Sequence, residues 1–429
     1  MNHMMTALKS WKFGKDARAV KQQHLANKYE LPPAISAFAG AINDIDSHEC
    51  TPIQEWVNEF GSAIAPLRDA CLAIADVHAG REPKGEIPPP MADDAEINAH
   101  NVWNLKMEYA PGAFDFARRL DVLDFVGVNR QILFPGGAAI FAHALMNKAD
   151  DPTVFRTITT DRRAYGAKIV DLYNDWCGRL SRDQDRIRPT AILIGDSPDE
   201  LYDRMKRLIS SGVRAFMISP DEPPGGVSPA DPALDSLWAL AADADCPILA
   251  HIAISENFLR TLVWREAPAF KGWMLGGEFS LDPWTVSTMH LPVQTYLTTM
   301  VLGGVFDRHP NLRFGTAEFT GHWVGPMAQN LDRWYKNVPF KGDIGPRQLK
   351  NLPSDYIRQN FRVMSFDFEP VGQYIDHFGL EEVYCYASDF PHHEGGKDPM
   401  NKFLGSLEGK SKETIKKFFV DNGKYLLPD

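Results

Sequence analysis

The stretch AINDIDSHE, residues 41–49, has a pattern that recurs along the rest of the chain. Its apolar first part is typical of a short buried strand, and it runs directly into polar residues. Side chains alternate along a strand, so Asp46 and His48 point the same way. We therefore interpret residues 41–46 as a strand whose end presents a carboxylate and an imidazole that can bind one cation together.

Seven further short apolar runs resemble buried strands, and longer helical patterns such as 162–180 and 199–211 lie between them. The seven runs are residues 131–134, 190–194, 214–218, 247–250, 312–316, 361–364 and 383–387. Strands that alternate with helices predict a parallel sheet, and eight such units predict a closed (β/α)8 TIM barrel. The alternative is a doubly wound open sheet. It is disfavoured because no glycine-rich phosphate loop follows the first strand.

Two segments extend the predicted barrel, which we assign to residues 41–429. Residues 1–40 resemble a polar helical arm. Residues from about 50 to 125 form a mostly helical insertion after the first strand, broken by the sequence PKGEIPPP at 83–90, which cannot continue a helix. We interpret the insertion as a cover over one mouth of the barrel rather than as a separate domain.

The composition excludes several classes of protein. Of the 429 residues, 44% are hydrophobic and 24% are charged, which is typical of a globular chain. The net charge of −11 disfavours nucleic acid and anionic membranes as partners. The five cysteines contain no CxxC pair, and no apolar run reaches the roughly 18–20 residues of a membrane helix. We expect a cytoplasmic protein that acts on a small molecule.

Three more polar residues stand where a predicted strand meets a loop. His251 follows CPILA, Glu318 follows RFGTA, and Asp389 follows VYCYAS. In a barrel, the carboxyl ends of the strands converge on one face. Each residue alone has a structural alternative, such as a hydrogen-bonded histidine, a capping aspartate or an ion pair of Glu318. Together with Asp46 and His48 they predict a metal site.

The predicted roles divide these residues into three groups. The metal ligands are Asp46, His48, His251 and Asp389. The catalytic residues are Asp389, Glu318 and His290. Additional metal or substrate contacts are Glu49, His322 and His392. Mixed nitrogen and oxygen donors suit Zn²⁺, which we expect first, with Mn²⁺ or Fe²⁺ as alternatives; the number of metal ions, one or two, stays open.

Six motifs in this order resemble the amidohydrolase-related family that includes aminocarboxymuconate-semialdehyde decarboxylase and the resorcylate-type decarboxylases. They are DIDSHECTP, ILFPGG, YNDWCGRL, PILAHIA, GGVFDRHPNLRFGTAEFTGHW and YASDFPHHEG, within residues 41–396. The resemblance implies a (β/α)8 barrel, a divalent metal, and a homodimer or tetramer. It also places the family's ligands at Asp46, His48, His251 and Asp389.

The sequence departs from that family at two positions, and these shape the functional expectation. Asp46 stands where many relatives carry His or Glu, and Glu318 stands where the decarboxylases carry a catalytic histidine. An ionised glutamate would repel a substrate carboxylate unless a metal or another cation lies between them. The first hypothesis is therefore a hydrolase, in which metal-activated water attacks an amide, ester, lactone or other acyl carbonyl. The alternatives are a non-oxidative decarboxylase of an aromatic or enoic acid, and a non-catalytic ligand-binding barrel.

Overall fold

Eight parallel strands form one sheet at the centre of the computed structural model, which describes residues 29–78, 85–252, 264, 267–270, 283–337, 349–393 and 395–429. The strands are β1 (Ile42–Asp44), β2 (Val128–Leu133), β3 (Ile187–Ile192), β4 (Ala215–Ile218), β5 (Ile248–His251), β6 (Phe314–Ala317), β7 (Phe361–Met364) and β8 (Tyr384–Cys385). Each strand pairs in parallel with the next one along the chain. All eight overlap the predicted runs, and the predicted (β/α)8 barrel is confirmed.

The barrel closes through the residues that follow β1 and β8. Ile45 N donates to Tyr386 O at 3.3 Å, and Asp389 N donates to Asp46 O at 3.1 Å. Ser47 and Phe390 form a parallel bridge. The backbone that carries two predicted metal ligands, Asp46 and Asp389, is therefore part of the seam that closes the barrel.

Helices follow the strands and pack around them. In chain order they are α1 (Trp56–Phe60), α2 (Ala65–His78), α3 (Ala99–Asn104), α4 (Phe116–Val126), α5 (Gly137–Asn147), α6 (Arg162–Asp183), α7 (Pro198–Ser210), α8 (Asp235–Asp243), α9 (Pro283–Thr288), α10 (Leu291–Leu302), α11 (Val305–Arg308), α12 (Val324–Asn337), α13 (Pro353–Asn360), α14 (Val371–Phe378), α15 (Pro399–Ser406), α16 (Lys412–Lys416) and α17 (Asn422–Leu426). None of these described helices is long and apolar enough to cross a membrane.

Local sequence sets several helix ends. The Asp115 side chain caps α4 by accepting from Ala117 N and Arg118 N, and α4 ends at Gly127 in the left-handed region. Asp161 caps α6 in the same way, and Ser197 caps α7 ahead of Pro198. The two predicted helices at 162–180 and 199–211 accordingly begin within one residue of their observed starts.

The insertion after β1 is helical, as predicted. It contains α1 to α4, and residues 85–98 between α2 and α3 contain no helix. Its last part contacts the loop after β8: Met107 N donates to Pro391 O at 3.0 Å, and Lys106 Nζ donates to Gly396 O at 2.7 Å. Most of the predicted arm, residues 1–28, lies outside the described residues; residues 29–40 contain a short 3-10 turn at Ser36–Phe38.

Burial explains why the strands are continuous apolar runs. Every residue of β3, β4, β5, β6 and β7 is buried. Such strands are covered on both faces, by side chains inside the barrel and by helices outside it. All five cysteines are buried free thiols, in line with the absence of a CxxC pair.

Candidate metal centre

Six predicted site residues meet at the carboxyl ends of four strands. Asp46 and His48 follow β1, His251 is the last residue of β5, Glu318 is the first residue after β6, and Asp389 and His392 follow β8. They form two overlapping groups whose potential ligand atoms lie within 4.8 Å of one another: Asp46, His48, His251 and Glu318, and His48, Glu318, Asp389 and His392. All of these residues except His392 are buried.

The imidazole of His48 lies at the centre of this cluster. Its Nε2 atom is 3.3 Å from Asp46 Oδ1, 3.4 Å from Asp389 Oδ1 and 3.4 Å from Glu318 Oε1. On the other side, Glu318 Oε2 is 3.1 Å from His251 Nε2. His48 Nε2 therefore lies between three carboxylates. A cation bound among these groups would contact both the imidazole nitrogen and the carboxylate oxygens.

The unsatisfied carboxylates support a bound cation. None of the four carboxylate oxygens of Asp46 and Asp389 accepts a well-formed hydrogen bond from the described residues, although imidazole nitrogens lie near two of them. Buried carboxylates without hydrogen bonds are costly unless another positive partner compensates them. A divalent cation that accepts both nitrogen and oxygen ligands would satisfy them, and the residues present fit such an ion.

Two of the carboxylates are held in an uncommon backbone conformation. Glu318 has φ 59° and Asp389 has φ 52°, both in the left-handed region. Non-glycine residues in that region cost on the order of 1–3 kcal/mol and are concentrated at functional sites. This conformation turns both side chains away from the strand direction and into the cluster.

The protonation of the cluster follows from burial and mutual contact. Burial raises the pKa of Glu318, but the nearby His251, His392 and His48 outweigh it and hold that pKa well below its usual range. For His48, burial lowers the pKa, while contacts with Asp389 and Asp46 more than reverse this and raise it. Burial also raises the pKa of Asp46 well above its usual range, so without a cation protons on imidazole and on this carboxyl group reduce the charge of the cluster.

His251 behaves differently from His48. Burial is the main cause that lowers its pKa to about 3, and Glu318 only partly opposes this. Its ring packs against Phe134, with ring centroids 4.3 Å apart. A neutral imidazole is the form that binds metals, so His251 is suited to be a ligand over the whole ordinary pH range.

His392 is more closely integrated into the cluster than its secondary place in the sequence analysis suggested. Its ring stacks on His48 with a centroid distance of 3.5 Å and an interplanar angle of 18°. Its Nδ1 atom is 3.2 Å from Asp389 Oδ1 and 3.5 Å from Glu318 Oε1. It therefore lies between the two carboxylates that were predicted to be catalytic.

Glu49 lies outside both ligand groups. Its Oε2 atom accepts from Thr51 Oγ1 at 2.7 Å and from Thr51 N at 3.1 Å. Burial is the main cause that raises its pKa. Its Oε1 atom is buried and accepts no well-formed hydrogen bond from the described residues, so a metal or substrate contact of Glu49 stays a prediction.

His290 and His322 form a separate pair that also lies outside both groups. Their rings meet edge to face at 4.7 Å, and His322 Nδ1 is 2.6 Å from Thr320 Oγ1. Burial, followed by the neighbouring His322, lowers the pKa of His290 to about 4. The pair is connected to the metal centre only along the sequence: His322 lies four residues after Glu318 on the same loop.

Sequence reasoning did not identify Glu369, which shapes that loop. Its carboxylate accepts from Gly321 N at 2.9 Å and from Phe366 N at 2.8 Å, joining the loop after β6 to the loop after β7. Nothing in the local sequence marks its contact with Gly321, which lies 48 positions away at the end of another strand. Phe134 was also missed as a site residue, although it belongs to the ILFPGG motif.

A cavity of about 350 Å³ lies at the ends of β3 and β4, and none of the six cluster residues lines it. Its walls include His143, Arg163 and Trp238. The charged groups on these walls have partners within the protein, such as Arg163 with Asp196 and Arg204 with Asp171. The cavity therefore does not mark the chemistry of the metal centre.

Solved structures share this fold at low sequence identity. An amidohydrolase, map2389c from Mycobacterium avium subsp. paratuberculosis K-10, is 18% identical with a TM-score of 0.59 and covers 91% of this chain and 98% of its own. A 5-carboxyvanillate decarboxylase from Novosphingobium aromaticivorans DSM 12444, solved with manganese and 4-hydroxy-3-methoxy-5-nitrobenzoic acid, is 16% identical with a TM-score of 0.53, covering 91% and 96%. The 2,6-dihydroxybenzoate decarboxylase from Rhizobium is 18% identical with a TM-score of 0.51, covering 72% and 87%.

The family itself is established by the sequence. No curated protein matches the chain. The profile of the amidohydrolase family Amidohydro_2 matches residues 148–428, which is well over half of the chain and includes β3 to β8 with His251, Glu318 and Asp389. This protein belongs to the amidohydrolase family.

Proposed function

We propose that this protein is a metal-dependent hydrolase whose substrate is a small, uncharged carbonyl compound: an amide, an ester or a lactone. The observation that carries the proposal is the place of Glu318 inside the ligand group, with Oε1 3.4 Å from His48 Nε2 and Oε2 3.1 Å from His251 Nε2. A carboxylate there can accept a proton, and it disfavours a second anion.

Asp46, His48, His251 and Asp389 would hold a divalent cation at the carboxyl ends of β1, β5 and β8, with Glu318, which belongs to both groups of potential ligand atoms, beside them as a proton acceptor. Two imidazoles and two carboxylates are a donor set that Zn²⁺, Mn²⁺ and Fe²⁺ all accept, and we propose Zn²⁺ as the native ion. When bound, the cation supplies Lewis-acid polarisation of the substrate carbonyl and eases the loss of a proton from water.

The protein's own groups then move protons. Glu318 and Asp389 have carboxylate oxygens close enough to the centre to accept a proton from the attacking water. The Nδ1 atom of His392 lies within 3.5 Å of both carboxylates and can pass that proton to the leaving group. The buried setting excludes bulk water and strengthens each of these contacts.

Charge balance supports an uncharged substrate. With neutral imidazoles, the carboxylates of Asp46, Glu318 and Asp389 outweigh the two positive charges of a divalent cation. A bound cation also favours the ionised form of Glu318. A substrate carboxylate would therefore enter a site of negative net charge, whereas a neutral carbonyl would not be repelled.

The second candidate is a non-oxidative decarboxylase. Two of the similar solved structures are named as decarboxylases of aromatic acids, and one of them holds manganese. In this protein the pair His290 and His322 offers an imidazole that could donate a proton to the substrate carbon after CO₂ leaves. This chemistry requires that the substrate anion be accommodated despite Glu318.

Metal content is the first measurement. We expect about one zinc or manganese ion per chain in protein purified without added metal or chelator, and loss of the ion in His251→Ala. His309→Ala is the matched control, because His309 pairs with Asp235 away from the cluster. A wild-type protein that binds neither ion, even after titration, would refute the proposed function.

Substrate screening then separates the two reactions. Metal-loaded protein is offered neutral esters, lactones and amides in one series, and 2,6-dihydroxybenzoate and 5-carboxyvanillate in another. Hydrolysis releases acid without CO₂, and decarboxylation releases CO₂. Turnover confined to the aromatic acids would replace the hydrolase with the second candidate.

A further inference from the structure

Four buried polar side chains form a chain of hydrogen bonds next to the metal centre without belonging to it. They are Arg119 on α4, Gln131 on β2, Asp44 on β1 and Ser388 after β8. Arg119 is 0% exposed, and the other three are exposed by 4% or less. Buried polar groups are costly unless they are hydrogen-bonded, and here each member of the series supplies a partner to the next.

Asp44 joins the two segments that close the barrel. Its Oδ1 atom accepts from Asp46 N at 3.2 Å and from Ser388 N at 2.9 Å. Its Oδ2 atom accepts from Ser388 Oγ at 2.5 Å and from Gln131 Nε2 at 2.8 Å. One carboxylate thus fixes the backbone of the ligand Asp46 and the residue immediately before the ligand Asp389.

Arg119 holds the next part of the same segment. Its guanidinium donates to His48 O at 2.8 Å and to Gln131 Oε1 at 3.0 Å, and its Nε donates to Gly112 O at 2.6 Å. It also lies 4.8 Å from the ring centroid of Phe390. Within the described part of the chain, no carboxylate forms an ion pair with Arg119, so the Gln131 amide connects its positive charge to Asp44.

The ligands need this support. The carboxylates of Asp46 and Asp389 accept no well-formed hydrogen bond from the described residues, so their orientation depends on the backbone that carries them. Asp389 is also held at φ 52°, which is unfavourable for a residue with a side chain. Contacts that fix the adjacent backbone therefore decide where the ligand atoms lie.

We propose that Asp44, Gln131 and Arg119 are positioning residues that set the metal affinity of the centre by fixing the backbone of Asp46, His48 and Asp389. The inference rests on the metal centre of the proposed function. It assigns these residues no contact with substrate or metal. Loss of a residue that orients metal ligands typically lowers metal affinity by about 10–100-fold.

Asp44→Asn keeps the size of the side chain but breaks the series of hydrogen bonds. The amide group introduced at position 44 would face the amide group of Gln131, and neither NH2 group could accept from the other. The second substitution Gln131→Glu restores the series. The new carboxylate accepts from Arg119 on one side and from the amide introduced at position 44 on the other. The remaining amide hydrogen at position 44 can be donated to Ser388 Oγ, which also accepts from Phe390 N, and the hydroxyl hydrogen of Ser388 then loses position 44 as its acceptor.

Asp332→Asn is the matched control. Asp332 accepts from Ser354 N and Ser354 Oγ, each at 2.9 Å, as Asp44 does from Ser388, but it joins α12 to the start of α13 on the outside of the barrel. The substitution Asp332→Asn therefore alters the same kind of carboxylate–serine contact and leaves the seam between β1 and β8 unchanged.

The experiment measures Mn²⁺ binding to metal-free protein by the electron paramagnetic resonance of free Mn²⁺, with thermal unfolding of each variant recorded alongside. We expect D44N to weaken Mn²⁺ binding about 10–100-fold, D44N/Q131E to recover to within about threefold of the wild type, and D332N to bind as the wild type does. If D44N does not fold, Ser388→Ala, which removes one of the four contacts of Asp44, replaces it and is expected to weaken binding severalfold.

Three results would overturn the inference. D44N could bind Mn²⁺ as tightly as the wild type, D332N could lose as much affinity as D44N, or Q131E could fail to restore D44N. In each of these the wild type still binds the ion, so the proposed function survives. A wild-type protein that binds no Mn²⁺ or Zn²⁺ would overturn both.

Discussion

Glu318→Gln distinguishes the two candidate reactions, because it removes one negative charge while keeping the size of the side chain. The potential ligand atoms around Glu318 lie within 4.8 Å of one another. An anionic substrate group bound among them would therefore lie roughly 5 Å from the Glu318 carboxylate. At an effective dielectric constant of about 20, the repulsion between two unit charges at that distance is about 3 kcal/mol.

That energy corresponds to about two orders of magnitude in affinity. We therefore expect the Mn²⁺-loaded E318Q protein to bind 2,6-dihydroxybenzoate up to about 100-fold more tightly than the wild type. Hydrolysis of a neutral substrate should move in the opposite direction and slow by about 100-fold or more, because a proton acceptor is lost. The two measurements thus change in opposite senses.

Isothermal titration calorimetry measures the anion affinity, and initial rates on the best neutral substrate measure the hydrolysis. Glu59→Gln is the control for loss of a half-buried carboxyl group outside the ligand groups. Unchanged anion affinity in E318Q, or weaker anion binding, would show that Glu318 does not repel a substrate anion. That result would remove the main argument for an uncharged substrate.

The remaining predictions concern the metal and the core. Asp389→Asn should abolish turnover with the fold intact, and a fully active variant would refute its role. The pKa of His48 is raised, so protons on its imidazole compete with the metal. Mn²⁺ affinity should therefore fall steadily as the pH is lowered from about 8 to 6. An affinity that does not change with pH in a binding titration would contradict this. Burial, partly opposed by Trp176, raises the pKa of Glu59 to about 7. Because the ordinary pKa of this carboxyl group is 4.5, wild type should lose about 3 kcal/mol of stability relative to E59Q as the pH rises from about 4.5 to 8, and no more above that. Chemical unfolding at several pH values measures this difference, and a difference independent of pH would contradict the prediction. Gly136→Ala would place a methyl group 2.3 Å from Glu49 O, so its melting temperature should fall by several degrees, and an unchanged value would argue against this packing.

The sequence determined the architecture and the list of candidate ligands. Strands buried on both faces need continuous apolar runs, and this local requirement is visible without any tertiary information. The run at 361–364 coincides with β7, and the other seven runs overlap their strands. The polar residues that end such runs were equally visible in the sequence. They could be grouped into one candidate site because a barrel places the carboxyl ends of all its strands on one face.

The site itself could be predicted only in part. Asp46, His48, His251, Glu318, Asp389 and His392 were all named from the sequence, and the structure brings them together. Glu49, His290 and His322 were named as further candidates without a place at a strand end, and they lie outside the ligand groups. Proximity to a motif does not fix the direction of a loop side chain, because that direction depends on backbone angles such as φ 59° at Glu318 and φ 52° at Asp389.

The tertiary structure alone decided the contacts between residues far apart in the chain. Asp44 and Ser388 are separated by 344 positions, and Arg119 and His48 by 71. No local pattern couples such pairs, because each hydrogen bond exists only after the barrel has closed and buried both partners. The sequence thus determined which groups could bind a metal, and closure of the barrel decided which of them meet and what holds them in place.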